Sequence, residues 1–193
     1  MAQEKTNLDN LNVLLGVSGG VAAYKAVDLA AKLTAAGAVV NTVMTENACR
    51  LISPKSFEAV SRSAVFTSLW QSGAEFKISH IALVDWADIV VVAPATANII
   101  GKVANGICDD LLSTTLCVCW QKPTLLAPAM NNNMWLSPAV QRNVKAVKEM
   151  GFQLIGPDKG RLACGTEGIG RMSEPQDILE RIEEIASEIK NRK

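Results

Sequence analysis

Leu11–Val17 reads Leu-Asn-Val-Leu-Leu-Gly-Val, a short apolar run rich in branched residues, and predicts a buried strand. After Ser18-Gly19-Gly20 a helix is predicted to about Ala36. On it Lys25, Asp28 and Lys32 share one face, while Val21, Ala22, Ala26, Leu29, Ala30 and Leu33 form the wide apolar face of a helix that covers a sheet. Gly37 stands where a left-handed cap would end it. Val39–Met44 predicts a second strand. Residues 45–78 are less regular: a short helix near 46–52, a break at Pro54, and short pieces up to Trp70. His80–Ala87 predicts a short helix. Ile89–Ala93 is the clearest strand, a continuous apolar run expected to stop at Pro94. Helices near 96–105 and 109–118, a strand over Pro123–Ala127, a helix over Pro138–Met150 and a short strand over Phe152–Ile155 follow. The glycine-rich segment 156–174 reads as loop. A last helix is expected with Ser173 as N-cap, Pro175 just inside it and Gln176 closing a capping box. Its Ile178, Ile182, Ile185 and Ile189 form a docking stripe.

Apolar strands alternating with helices predict an α/β fold, a doubly wound, mostly parallel sheet with helices on both faces. Such sheets bind ligands beyond the C-terminal ends of their strands. Five loops are therefore expected on one edge: Ser18–Gly20, Thr45–Asn47, Pro94–Asn98, Pro128–Trp135 and Gly156–Met172.

Composition narrows the class. With 193 residues, 49% hydrophobic and 20% charged, the chain suits one globular domain over 1–193, with residues 1–10 as a lead-in. Nineteen basic against 19 acidic residues gives no general attraction to nucleic acid. Uncharged stretches are too short to span a bilayer, and the N-terminus lacks a secretory apolar core. Five cysteines, an odd number, point to reduced thiols in a cytoplasm. Cys117-Val118-Cys119 is one residue too tight for a CxxC pair and His80 is the only histidine, so no metal site is expected.

The chemistry concentrates in the loops. Small residues over Gly16–Ala22 let a phosphate approach backbone N–H groups at a helix N-terminus, although the spacing fits neither GxGxxG nor a P-loop. Thr96 and Asn98 can bind a ligand or cap the next helix, while Asp109-Asp110 reads as a structural helix start. Pro128–Trp135 places three asparagines between Met130, Met134 and Trp135, as in a pocket wall with amides aimed inward. Cys164 sits among glycines and cations, a setting that favours thiolate chemistry or proton donation. Lys159, Arg161 and Arg171 can meet an anionic substrate. His80 suits acid–base work near neutrality, or is a satisfied structural histidine.

These motifs together resemble the homo-oligomeric flavin-containing cysteine decarboxylases. The matching pieces are Ser18-Gly19-Gly20-Val21-Ala22-Ala23, His80-Ile81 with Trp86-Ala87-Asp88, Ala93–Asn98, the Pro-x-Met-Asn-x-x-Met-Trp run at 128–135, and Ala-Cys-Gly-x-x-Gly-x-Gly-Arg-Met at 163–172. The resemblance covers about residues 11–180. It implies a Rossmann-like or flavodoxin-like three-layer fold and FMN as cofactor. It also implies a trimer, or a dodecamer of trimers, with sites between subunits. The implied reaction is decarboxylation of 4′-phosphopantothenoylcysteine in coenzyme A biosynthesis. The thiol is oxidised to a thioaldehyde, CO₂ is lost, and the ene-thiolate is reduced again to 4′-phosphopantetheine.

By the same resemblance Ser18, Gly19, Gly20 and Val21 approach the FMN phosphate. Thr45, Asn47, Thr96, Ala97, Asn98, Ser113 and Ala129 contact the cofactor. Asn131 holds the substrate carboxylate, His80 assists oxidation, and Cys164 donates the proton of the second half-reaction. Met134, Ala163, Gly165, Arg171 and Met172 complete the substrate-binding set, the last four on the clamp loop 156–174. Alternatives are a peptidyl-cysteine decarboxylase, a flavin prenyltransferase, which should lack the last two motifs, and a non-catalytic FMN-binding regulatory subunit. A fused synthetase is common in the family, so the chain is either a standalone enzyme or the decarboxylase portion of a longer one.

Overall fold

The computed structural model describes residues 8–70, 79–161, 165 and 167–191. From the N-terminus, β1 (Asn12–Val17) leads into α1 (Ala23–Ala35), β2 (Val39–Met44), the short α2 (Glu46–Cys49), α3 (Pro54–Ser61) and β3 (Val65–Phe66). Then α4 (Ser79–Trp86) precedes β4 (Ile89–Ala95), α5 (Ala97–Ala104), α6 (Leu111–Val118) and β5 (Thr124–Pro128). The remainder is α7 (Asn132–Leu136), α8 (Pro138–Glu149), β6 (Gln153–Leu154), β7 (Asp158–Arg161), β8 (Glu167–Arg171) and α9 (Pro175–Asn191).

Six strands form one parallel sheet in the order β3-β2-β1-β4-β5-β6, while β7 and β8 pair as a separate antiparallel hairpin. This is the expected doubly wound α/β fold. Strand order reverses between β1 and β4, which makes a switch point there. Alternation along the strands divides the core. Val13, Leu15 and Val17 of β1, with Ile89, Val91 and Ala93 of β4, meet Leu29 and Leu33 of α1 and Ile178, Ile182 and Ile185 of α9. Leu14, Val90 and Val92 point the other way, toward Ile99, Ile100, Leu112, Leu116 and Val147 on α5, α6 and α8. Each fully buried aliphatic side chain in these layers contributes roughly 1.5–3 kcal/mol relative to exposure. Among the described residues, no helix is long and apolar enough to cross a membrane.

Several boundaries differ from the sequence reading. Strand β4 runs through Pro94 to Ala95, because its register shifts between Val92 and Ala95 and a proline at such an irregularity owes the ladder no N–H. Pro54 begins α3 rather than breaking a helix, with the Ser53 hydroxyl accepting from Lys55 N. Segment 156–174 is not all loop: it contains the β7–β8 hairpin. Pro175 opens α9, but Ser173 and Gln176 form no capping box. The Ser173 hydroxyl donates to Asp158 at 3.1 Å, and Gln176 reaches Glu180 instead. Val21, assigned to the apolar face of α1, is 64% exposed because the helix begins two residues later.

One buried polar atom stands out. Thr42 on β2 is 0% exposed, and its hydroxyl has no hydrogen-bond partner among the described residues. An orphaned buried hydroxyl costs stability that an isosteric methyl would not. Thr42→Val is therefore expected to raise unfolding stability by up to about 1 kcal/mol in urea titration. A loss of stability would show that the hydroxyl is bonded.

Candidate functional site

Ser18 closes the switch point. Its hydroxyl donates to Pro94 O at 2.7 Å, accepts from Thr96 N at 3.1 Å and lies 3.0 Å from Thr96 Oγ1. It is 2% exposed and ties the ends of β1 and β4 together. Ser18 thus positions the expected phosphate loop without itself lining the cavity beyond it.

That cavity has a volume of ≈ 830 Å³. Its first wall is the β1–α1 turn. Ala22 occupies the N-cap of α1 with no side-chain cap, and the first turn holds no acidic residue. Among the described residues the N–H groups of Gly19, Val21 and Ala22 have no protein acceptor. A 13-residue helix therefore presents open donors and the positive end of its dipole to the cavity. A Cβ on Gly19 would lie 2.4 Å from Asn47 Cβ, so the turn admits no side chain there. These features fit a bound phosphate.

The second wall is the start of α5, with Thr96, Ala97 and Asn98. Thr96 stands at the N-cap position but makes no cap bond; its hydroxyl meets Ser18 instead. The third wall carries Ala129, Met130, Asn131 and Met134. The asparagine run here is partly helical. Asn131 caps the short α7, its side chain accepting from Asn133 N at 2.8 Å, and Asn132 and Asn133 form the first turn.

The fourth wall is the hairpin, through Arg161, Gly170, Arg171 and the buried Met172. It docks on the third wall by backbone contact. Met130 N donates to Gly170 O at 2.9 Å, and Ile169 N donates to Asn132 Oδ1 at 3.0 Å. Gly170 has φ +149°, and a Cβ there would sit 2.1 Å from Met130 O; a Cβ on Gly168 would meet Asn132 Cγ at 2.7 Å. The glycine spacing of 168–170 is thus what lets this segment lie on 130–132.

Some expected residues lie elsewhere. Ser113 is 1% exposed and reciprocates the Asp110 cap of α6: Ser113 N donates to Asp110 Oδ1 at 2.7 Å and Asp110 N donates to Ser113 Oγ at 3.1 Å. Thr45 caps α2, and Asn47 touches the site only from behind Gly19. His80 is half-buried on the first turn of α4 and does not line this cavity. Gly165 is exposed and also outside it. Ala163 and Cys164 lie outside the described residues. Of the other thiols, Cys119 is buried, which pushes its pKa up to about 11. Burial also raises the pKa values of Cys49 and Cys108, so none of these three is an activated thiolate.

Tyr24 and Lys25 line the cavity but were not singled out as site residues. The available signal was their position one turn after Gly20 and Val21. The Lys25 ammonium donates to both carboxylate oxygens of Glu174, at 2.9 and 3.0 Å, and Arg171 lies 3.4 Å from the same carboxylate. Hydrogen bonding from Lys25 holds the Glu174 pKa below its usual value, against partial desolvation and with help from the charges of Lys25 and Arg171. Further along α5, Lys102 bonds Asp109 and Asp110 at 2.6 Å each and clips α5 to the start of α6, the structural part expected of that acidic pair.

An open helix N-terminus facing an apolar cavity at a switch point defines a protein that holds a phosphorylated organic ligand. The Flavoprotein family model matches residues 1–187, and the chain belongs to this family. It is 50% identical over 181 residues to the coenzyme A biosynthesis bifunctional protein CoaBC of Bacillus subtilis, covering 94% of this chain and 44% of that protein. The chain therefore spans less than half the length of that relative. A solved PPC decarboxylase mutant complexed with pantothenoylaminoethenethiol superposes with a TM-score of 0.81 at 36% identity, covering 90% of this chain and 96% of that one. The FMN binding protein AtHal3 gives a TM-score of 0.78 at 37% identity, over 90% and 95% of the two chains.

Gly170→Ala forces a Cβ against Met130 O and is expected to destabilise the protein by about 2–3 kcal/mol in denaturant titration. Unchanged stability would mean that the two segments part without cost. Glu174 has a depressed pKa, so its contribution is present above about pH 4.5 and is lost as pH falls below that value. Glu174→Gln should cost at most about 1 kcal/mol at pH 7, because the carboxylate is partly exposed. That difference should shrink below pH 4.5; one that grows with acid would contradict the assignment.

Proposed function

We propose that this chain is an FMN-dependent decarboxylase that converts 4′-phosphopantothenoylcysteine to 4′-phosphopantetheine in coenzyme A biosynthesis. The observation that carries this reading is the meeting, in one cavity, of the open α1 terminus, the Ala129–Met134 segment and the hairpin that flanks Cys164. The names of the similar proteins support it: one acts in coenzyme A biosynthesis, one is a PPC decarboxylase and one binds FMN.

When bound, FMN supplies the reversible two-electron redox chemistry needed to lose CO₂ from a cysteine amide that has no electron sink of its own. The chain's residues bind, orient and shield. N–H groups of Gly19, Val21 and Ala22 hold the cofactor phosphate. Thr96, Ala97, Asn98 and Ala129 shape the adjoining walls. Asn131 orients the substrate carboxylate from the third wall. Met130, Met134 and Met172 exclude water around the reacting thiol. Cys164 holds the proton delivered to the product carbon.

His80 acts at the cavity of a neighbouring copy. This accounts for its place on α4, away from the cavity of its own chain, and makes the active form a homo-oligomer built of trimers. The exposed Val21, Tyr24 and Met134 at the cavity margin provide apolar surface for that contact.

Reconstituted with FMN, the protein is expected to be yellow and to release CO₂ and 4′-phosphopantetheine from 4′-phosphopantothenoylcysteine, read by mass spectrometry. A peptide ending in cysteine serves as the competing substrate. Cys164→Ser should stop at the ene-thiol, two hydrogens lighter than the normal product. No product from either substrate would end the decarboxylase reading, and full turnover by Cys164→Ser would remove that thiol from the mechanism.

A further inference from the structure

The cavity is apolar across its floor and cationic where the hairpin meets α1. Its lining includes Lys25, Arg161 and Arg171 and no acidic residue among those described. Among the described residues Glu174 is the one carboxylate paired with this group, and it binds Lys25 and Arg171. Three cations less one anion leave an excess of two positive charges.

The two arginines are held differently. Arg171 is laid across Gly160: a Cβ at position 160 would meet its Nε at 3.4 Å and its Cζ at 3.6 Å. Together with the Glu174 contact this fixes the guanidinium against the strand. Arg161 ends β7 and makes no ion pair among the described residues, not even with Glu167, its cross-strand neighbour. Its exposed guanidinium borders the cavity without a carboxylate partner among the described residues. The α1 terminus already offers uncommitted N–H groups to one phosphate, so the hairpin cations answer to a second anion.

We propose that Arg161, beside the fixed Arg171, forms the subsite for the substrate's own phosphate and so sets the preference for a phosphorylated substrate. The inference rests on the decarboxylase reading above. A phosphate dianion leaving water needs charge-assisted donors, and a guanidinium offers them as a fork. A peptide ending in cysteine brings no such dianion, so the same residue also discriminates against it.

The test compares kcat/KM for 4′-phosphopantothenoylcysteine and for pantothenoylcysteine in the FMN-loaded wild type, Arg161→Ala and Arg161→Lys. The ratio of the two values should fall about 10- to 100-fold in Arg161→Ala, the loss of one charge-assisted contact, and recover in part in Arg161→Lys. Flavin content is read in parallel from the absorbance of each purified variant. An unchanged ratio would overturn the subsite alone, as would loss of flavin from Arg161→Ala, which would assign the residue to the cofactor phosphate. A wild type that turns over neither compound would overturn the decarboxylase reading and the subsite with it.

Discussion

Two backbones in direct contact make the cavity. Gly170 lies against Met130 so closely that a methyl group would not fit between them, and one hydrogen bond of 2.9 Å joins the pair. The hairpin needs this contact because it has almost no core of its own. Most positions of β7 and β8 are exposed or half-buried, and an isolated two-stranded hairpin is marginal in water. Its stability is borrowed from Met130–Asn132, from the buried Met172 and from the Lys25–Glu174–Arg171 group. By contrast the sheet buries both faces, so the frame that sets strand ends and loop positions does not depend on the hairpin. A robust frame carrying a marginal fourth wall is the division expected when precise placement and ligand access are both required.

Much of this was legible from residue order. Continuous apolar strands alternating with amphipathic helices led directly to a parallel doubly wound sheet, and the loops expected at one edge supply the cavity walls. Gly19, Gly20, Thr96–Asn98, Asn131 and Met134 could be picked out because small or amide-bearing residues stood where apolar periodicity stopped. The hairpin was not legible. Glycines at 160, 168 and 170 and charges at 159, 161, 167 and 171 carry no strand signal, since these residues pair through a surface supplied by distant sequence. Lys25 was also missed, because one turn of an amphipathic helix gives no hint that its polar face meets Glu174, 149 positions later. Ser18 and Ser113 show the opposite case. Each looked like a ligand contact, yet each hydroxyl is consumed by the protein, one at the switch point and one in a helix cap.

The distribution of charge ties the marginal wall to its ligand. Lys25, Arg161 and Arg171 are gathered on one side of the cavity, and among the described residues a single carboxylate offsets them. Like charges gathered on one side of the cavity oppose the docking of β7–β8 against α1, an opposition that water weakens at the exposed Arg161 and Arg171. An anion bound between the hairpin and α1 reverses the sign. It is attracted to all three cations and removes their mutual repulsion, so anion binding and hairpin docking stabilise one another. Glu174 keeps the opposition tolerable in the free protein without cancelling the field. Were it to neutralise all three cations, the wall would dock well and attract nothing; were it absent, Lys25 would be a largely buried charge with no partner. The single carboxylate placed between Lys25 and Arg171 is therefore the compromise between a wall that stays in place and one that still draws in an anion.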